Sequence, residues 1–422
     1  MTGTRTKRGR ERVVITGLGT VSPLGLDVAS TWQALTQGRS GAAPITTFDT
    51  TGFPTRIAAA VKDFEPTRHM NLREARRLSP FVHFALAAAH EAVAQAGLNL
   101  SQEDPYRVGA EIGSAMGGAS LVEEQRLVLE KQGVRHLNPT LIPAILINAA
   151  PCVVALQLGI KGPVNAAASA CATGTISVGE ASRKLAVGDA DVMLAGGTEA
   201  VLTPLAVAGF ARLGALSTRN DTPEKACAPF DAARDGTVLG EGASVLVLET
   251  LAHALRRDAP ILAEVLGYCL TLDAYHLVAP DPSGEGAAHA MAGALREGEV
   301  APAELDWICA HGTGTRINDS VETLAIKSVL GERAYGVPVS SDKAAVGHMV
   351  GAAGAISTVF AVQAMRTNCI PPTLNYETPD PECDLDYVPN VARQAAVRTV
   401  LVNCFGFGGQ NGCLVVRKWD GQ

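Results

Sequence analysis

Residues 162–175 read Gly162-Pro163-Val164-Asn165-Ala166-Ala167-Ala168-Ser169-Ala170-Cys171-Ala172-Thr173-Gly174-Thr175. Small and β-prone residues run up to one cysteine, and from Thr173 to about Val187 the apolar positions fall at helical spacing. The pattern predicts a strand over Val164–Ala170, a sharp turn at Cys171 and a helix behind it. A thiol at a helix start faces unpaired backbone N–H groups and the positive end of the helix dipole, which favours its thiolate. The same cysteine could equally be a small buried hydrophobe, as most free cysteines are. More distant residues have to choose between these two readings.

Outward from this turn, strand-like runs alternate with Ala-rich helical stretches, which is the α/β pattern. One series of runs is Val13–Gly19, Arg107–Ser114, Val164–Ala170, Asp191–Thr198 and Ser244–Glu249. A second is Ile261–Leu270, Leu305–His311, Val337–Ser341, Thr399–Phe405 and Cys413–Lys418. Helices are expected at Arg73–Gln95, Ser177–Val187, Ala287–Glu297, Ser320–Leu330 and Val350–Met365, with a core helix over Ile142–Ile160. The parallel between the two series suggests an internal duplication: a flexible basic start at 1–12, a half at 13–255 carrying Cys171, and a half at 256–422. Gly17-Leu18-Gly19 begins like a dinucleotide fingerprint, but Ser22 takes the third glycine position and no acid follows at the required distance.

With 422 residues, 47% hydrophobic and only 18% charged, the chain can bury a large core and is not of disordered composition. A net charge of −7 with no basic stripe argues against nucleic acid. Nine scattered cysteines without a Cys-x-x-Cys pair argue against a disulfide framework and fit a reducing cytoplasm. The run Ile142–Ile160 is interrupted by Asn148, Pro151 and Gln157, so it is read as core and not as a membrane span.

Two histidines stand apart from the rest. His311 opens His311-Gly312-Thr313-Gly314-Thr315, and His348 lies in Val346-Gly347-His348-Met349-Val350-Gly351 after Ser340-Ser341-Asp342-Lys343. Each follows an apolar β-run and is flanked by glycines, and in open α/β sheets such strand ends face the ligand crevice. Cysteine and two histidines could bind zinc, but they share no short ligand spacing. Thiolate acyl transfer fits better: the cysteine forms a thioester, and imidazole N–H groups stabilise charge developing on a second substrate's carbonyl.

From about Val13 to Val416 the chain resembles the β-ketoacyl-acyl-carrier-protein synthases of the thiolase superfamily, nearest the synthase II type. The resemblance is carried by Ser169-Ala170-Cys171-Ala172-Thr173-Gly174, Ala195-Gly196-Gly197-Thr198-Glu199, Leu216-Ser217-Thr218-Arg219-Asn220-Asp221, Arg234-Asp235-Gly236, the two histidine motifs, Lys343, and Gly406-Phe407-Gly408-Gly409. It implies an α/β fold of five layers, αβαβα, made of two like halves. It also implies a decarboxylative Claisen condensation without bound cofactor or metal, with substrates carried on the phosphopantetheine arm of an acyl carrier protein. Cys171 would take the acyl chain, His311 and His348 would bind the malonyl thioester oxygen, and the backbone N–H groups of Cys171 and Phe407 would form the oxyanion hole.

The resemblance also makes Lys343 a fixed cation with Glu322 among its acidic partners. Met116, Gly406 and Phe407 become the acyl pocket and gate, Thr313 and Thr315 contacts for the substrate arm, and Arg73, Arg76 and Arg77 the carrier docking patch. Two positions depart from the pattern: Ser357 replaces an acid, and Gln410 replaces a threonine. A thiolase would need a second catalytic cysteine where this chain has Phe407, and a chain-length factor would lack Cys171. Thr315–Asp319 and Asp380–Pro389 lean towards type II polyketide ketosynthases, whereas Phe405–Gly409 leans towards fatty-acid enzymes. The family is dimeric, and the partner could be a second copy or a chain-length-factor-like chain.

Overall fold

The computed structural model describes residues 3–6 and 8–421. Ten strands form one sheet, and both series of five take the same order within it. From the centre outward, the first half runs Val13–Val21, Gly242–Thr250, Val192–Glu199, Val108–Gly113 and Val164–Asn165. The second runs Ala263–Leu272, Gln410–Lys418, Thr399–Gly406, Trp307–Cys309 and Val339–Ser340. The halves join antiparallel through Val13–Ile15 against Ala263–Val265. In each half the three outermost strands are parallel, so their carboxyl ends point the same way. The duplication is thus visible as a repeated strand order, independent of residue identity.

Two helices, Thr173–Ala186 and Ala353–Thr367, lie between the halves and touch strands of both. Helix Pro80–Gln95 covers the outer face of the first half and helix Glu285–Glu297 that of the second, which completes the five layers. The central pair cross at glycine. A Cβ on Gly174 would stand 2.5 Å from the backbone N of Ala355, and one on Gly354 would stand 2.5 Å from the backbone N of Thr175. Gly17 and Gly19 serve packing in the same way, since a Cβ on either would meet a carbonyl of helix Pro80–Gln95 at 2.1 or 1.9 Å.

Several expected elements differ. The helix expected over Arg73–Gln95 is two, Leu72–Ala75 and Pro80–Gln95, because Pro80 fits only a first helical turn. The stretch Ile142–Ile160 likewise divides into Leu141–Ile145 and Ala149–Leu158, and Ile142, Leu146 and Leu156 are exposed rather than core. The strand before the nucleophile stops at Asn165, since Val164–Asn165 is an edge strand with one neighbour. Helices Val28–Thr36, Ala119–Gln132 and Pro204–Arg212 were not anticipated. Of the basic start, residues 1, 2 and 7 lie outside the described residues; it is anchored at its end, where Arg12 makes a two-pronged contact with Glu264 at 2.8 and 2.7 Å. Among the described residues no helix is long and apolar enough to cross a membrane.

The glycine crossing gives a test with opposite signs. Gly174→Ala is expected to lose about 1–3 kcal/mol to overpacking against backbone that cannot give way. Gly209→Ala, exposed in helix Pro204–Arg212 with nothing within 4 Å of the new Cβ, should gain up to about 1 kcal/mol from helix propensity. Urea denaturation measures both.

Candidate active site

Cys171 sits at the start of the first central helix, directly after Ala170, whose φ of +47° is one that non-glycine residues seldom adopt. Thr173 pins this turn: its hydroxyl donates to the Ala170 carbonyl at 2.7 Å and accepts the Ser169 N–H at 2.8 Å. The sulfur is buried, and Gly406 lies so close that a Cβ there would stand 3.0 Å from the Cys171 N and 2.8 Å from the Ser169 carbonyl. This approach lets the Phe407 N–H reach the Cys171 sulfur. Ring stacking on Phe210, at 6.0 Å between centroids, fixes the Phe407 side chain.

His311 follows strand Trp307–Cys309 and is held by its backbone. The His311 and Gly312 N–H groups donate to the two oxygens of Glu322, each at 2.8 Å. Those of Thr313 and Gly314 donate to Asp319 at 3.0 and 3.2 Å. Two carboxylates three residues apart on helix Arg316–Leu330 therefore grip four consecutive amides. Burial raises Glu322 to about 7 against the pull of these N–H groups. Glu322 makes no ion pair with Lys343 within 4 Å among the described residues; the chain uses it to shape the loop.

His348 is fixed by a short bridge to the first half: its N–H donates to the Val238 carbonyl at 2.7 Å, and its carbonyl accepts from Gly240 at 2.9 Å. The two imidazoles meet edge to face, with centroids 5.5 Å apart. Burial, and then the nearby Lys343 charge, push His348 down to about 3 and His311 well below the usual histidine value. Both rings are neutral at physiological pH, so each carries one N–H and one free nitrogen.

Cys171, His311, His348, Thr313, Thr315, Phe405, Gly406 and Phe407 all line one cavity of about 500 Å³. The Thr313 and Thr315 hydroxyls are 2.9 Å apart in its wall. Lys343 is 1% exposed, so its charge is a buried one and not a surface one. Met116 does not line this cavity: its N–H, with that of Ala115, is bound by buried Glu199, and its side chain is 38% exposed. Arg73 and Arg76 are exposed and Arg77 half-buried, on and just after the short helix Leu72–Ala75. Nothing in the structure explains the departure at Gln410, which begins strand Gln410–Lys418.

Some functional neighbours left no motif. Cys404 donates its thiol proton to the Cys171 carbonyl at 2.9 Å, and its sulfur lies 3.7 Å from His311 Nδ1. It sits on the strand that ends at Gly406, and only the fold brings it under the nucleophile. Ser357 donates to Asp342 at 2.6 Å, so the departure from an acid at 357 has a neighbour in the segment carrying Lys343. Among the described residues, no group of three or more His, Cys, Asp or Glu side chains is placed to hold a metal ion.

The expected resting thiolate is not what this environment favours. Burial pushes the Cys171 thiol up to about 12, with Cys404 adding to the rise, and neither the Lys343 charge nor the Phe407 N–H offsets it. The proton must therefore leave as the sulfur attacks. Alkylation of Cys171 by iodoacetamide, followed by peptide mass, should rise about tenfold per pH unit from pH 7 to 9.5, as expected below the pKa of a thiol. A plateau beginning near pH 7 would contradict a raised pKa.

The comparisons with known proteins agree with this geometry. The β-ketoacyl synthase N-terminal domain matches residues 10–254 and the C-terminal domain residues 262–377. The chain is 49% identical to a 3-oxoacyl-[acyl-carrier-protein] synthase 2 of Coxiella burnetii, covering 97% of this chain and 99% of that protein. It is 45% identical to the synthase 2 of a Synechocystis species at the same coverage. Among solved structures, the ishigamide ketosynthase/chain length factor superposes with a TM-score of 0.89 at 38% identity, covering 97% of this chain and 100% of that one. A ketosynthase bound to its type II polyketide acyl-carrier protein does so with a TM-score of 0.89 at 35% identity and the same coverage. A duplicated sheet, a cysteine at a helix start, two buried imidazoles on one cavity and matches spanning nearly the whole chain make this protein a member of the β-ketoacyl synthase family.

Proposed function

We propose that the protein is a 3-oxoacyl-[acyl-carrier-protein] synthase that joins a cysteine-bound acyl chain to malonyl carried on an acyl carrier protein, releasing carbon dioxide. The observation that carries this reading is the single cavity onto which Cys171, His311 and His348 all open. The acyl chain is transferred from its carrier thioester to the Cys171 sulfur, and the carrier thiol leaves with the proton. Malonyl-carrier then binds with its arm along Thr313 and Thr315. A neutral imidazole N–H from each of His311 and His348 holds the thioester oxygen while the carboxylate is lost. The enolate carbon attacks the acyl-cysteine carbonyl, whose oxygen is held by the Cys171 and Phe407 N–H groups, and the cysteine sulfur is expelled and takes up a proton from solvent.

Two imidazoles that stay uncharged are suited to this work. Each has one N–H to donate to the developing enolate oxygen and is too weak an acid to pass that proton on. Lys343 supplies fixed positive charge behind them, and Glu322 acts through the loop that it grips. In this reading Gly406 and Phe407 gate the acyl pocket, and Arg73, Arg76 and Arg77 form a basic patch for the acidic carrier. The active assembly is a dimer, of two copies or with a chain-length-factor-like partner, in the cytoplasm.

The relatives named synthase 2 share 42–49% identity, against 35–38% for the polyketide ketosynthase structures, which favours extension of a plain acyl chain. Extension of a poly-β-keto chain is the second reading, favoured by the polyketide-like segments around Asn318 and Asp384. Intact-mass assays with acyl-carriers and malonyl-carrier separate them by the product formed.

In the same assay, Cys171→Ala should abolish acyl loading, whereas Cys171→Gln should leave malonyl decarboxylation running. His311→Ala should lower condensation about 100-fold or more, the range for losing an oxyanion donor. Acylation persisting at another cysteine, or full condensation by the His311 variant, would overturn the assignment.

A further inference from the structure

Lys343 is the most deeply buried cation near the cavity, and its ammonium makes no hydrogen bond among the described residues. Among the described residues one carboxylate lies within 4 Å of it, that of Asp342, at 3.7 Å and 3% exposed. The other oxygen of Asp342 accepts the Ser357 hydroxyl at 2.6 Å, from the central helix Ala353–Thr367. Of the other groups that face Lys343, Glu322 adds negative charge from beyond 4 Å, after that of Asp342, and the rest are thiols and imidazoles. Cys309 and Cys404, on neighbouring strands, are thiols that burial pushes up, Cys404 to about 12 and Cys309 well above the usual thiol value. Glu322 is committed to the His311 and Gly312 amides and to Asn403, and burial raises it to about 7. His311 and His348 are neutral, and Cys227 is a buried thiol held protonated to about 12.

We propose that Asp342, held in place by the Ser357 hydroxyl, is the fixed counter-ion that keeps Lys343 charged at the centre of the site. Asp342 is therefore a positioning residue for the reaction proposed above, on which its role in catalysis rests. The site has kept its acid but moved it: position 357, where the family pattern leads one to expect a carboxylate, holds a hydroxyl that orients a carboxylate from residue 342. The physical need is clear. A buried ammonium without a partner gives up its proton. The Lys343 charge lowers the Cys171 thiol against the effect of burial and adds to the lowering of both imidazoles by burial, so losing it would alter all three.

The test reads Cys171 directly and needs neither carrier nor malonyl, so it stands or falls independently of the condensation assay. In full-length protein at pH 8, iodoacetamide labelling of Cys171 is followed by peptide mass. Asp342→Asn, which keeps the shape and removes the charge, should slow labelling about tenfold, equivalent to one pKa unit. The double variant Asp342→Asn/Ser357→Asp returns a carboxylate to the same space and should recover most of the rate. Thermal melts establish that both variants are folded. Labelling of Asp342→Asn at or above the parent rate would overturn the proposal, since Lys343 would then hold its charge without Asp342. Failure of the folded double variant to recover would also overturn it. Should Asp342→Asn alone not fold, recovery of both folding and labelling in the double variant supports the relocated counter-ion, and absence of recovery overturns it.

Discussion

The close crossing of helices Thr173–Ala186 and Ala353–Thr367 governs everything that happens at the site. Cys171 is two residues before the first helix, and Lys343 and His348 lie within ten residues before the second. Backbone contact at Gly174 and Gly354 brings those helix starts together more closely than any pair of larger residues would permit. Had either position carried a side chain, the halves would stand further apart.

Around that crossing, each reactive side chain is aimed through its own backbone. A strained Ala170 turns the sulfur into the cavity, two carboxylates hold the His311 loop, and a two-bond bridge to Val238 and Gly240 holds His348. The side chains themselves stay nearly free of polar partners and buried, which keeps the thiol protonated and the imidazoles neutral. Precision therefore comes from amides, and reactivity comes from exclusion of water.

Much of this was legible in the sequence because it is local. All ten strands of the large sheet are legible, since each is an apolar, β-prone run set between helical stretches, and the cysteine and histidine motifs follow such runs. What escaped notice depends on distance. Pro80 divides a helix whose periodicity continues unbroken, and Ala119–Gln132 has too little apolar character to stand out. The acids are only half legible for a related reason: Glu322 acts on Lys343 from beyond 4 Å, but its grip with Asp319 on four backbone amides has no side-chain signature. Asp342, Ser357 and Cys404 acquire meaning only when strands and helices far apart in sequence are stacked. The thiolate expected from the helix start was overruled by burial, a property of the whole fold.

The two halves have solved one problem twice and then diverged. In the first, Glu199 binds the amides after strand Val108–Gly113, at Ala115 and Met116; in the second, Asp319 and Glu322 bind those after strand Trp307–Cys309, at His311 to Gly314. These turns are topological counterparts, yet only one carries an imidazole, and its twin presents a half-exposed methionine. An ancestral copy relieved of chemistry could change its side chains while its carboxylate went on holding the chain path. The repeat thus supplies one carboxylate-held turn that presents a reacting imidazole to the cavity and an equivalent one whose side chain lies outside it.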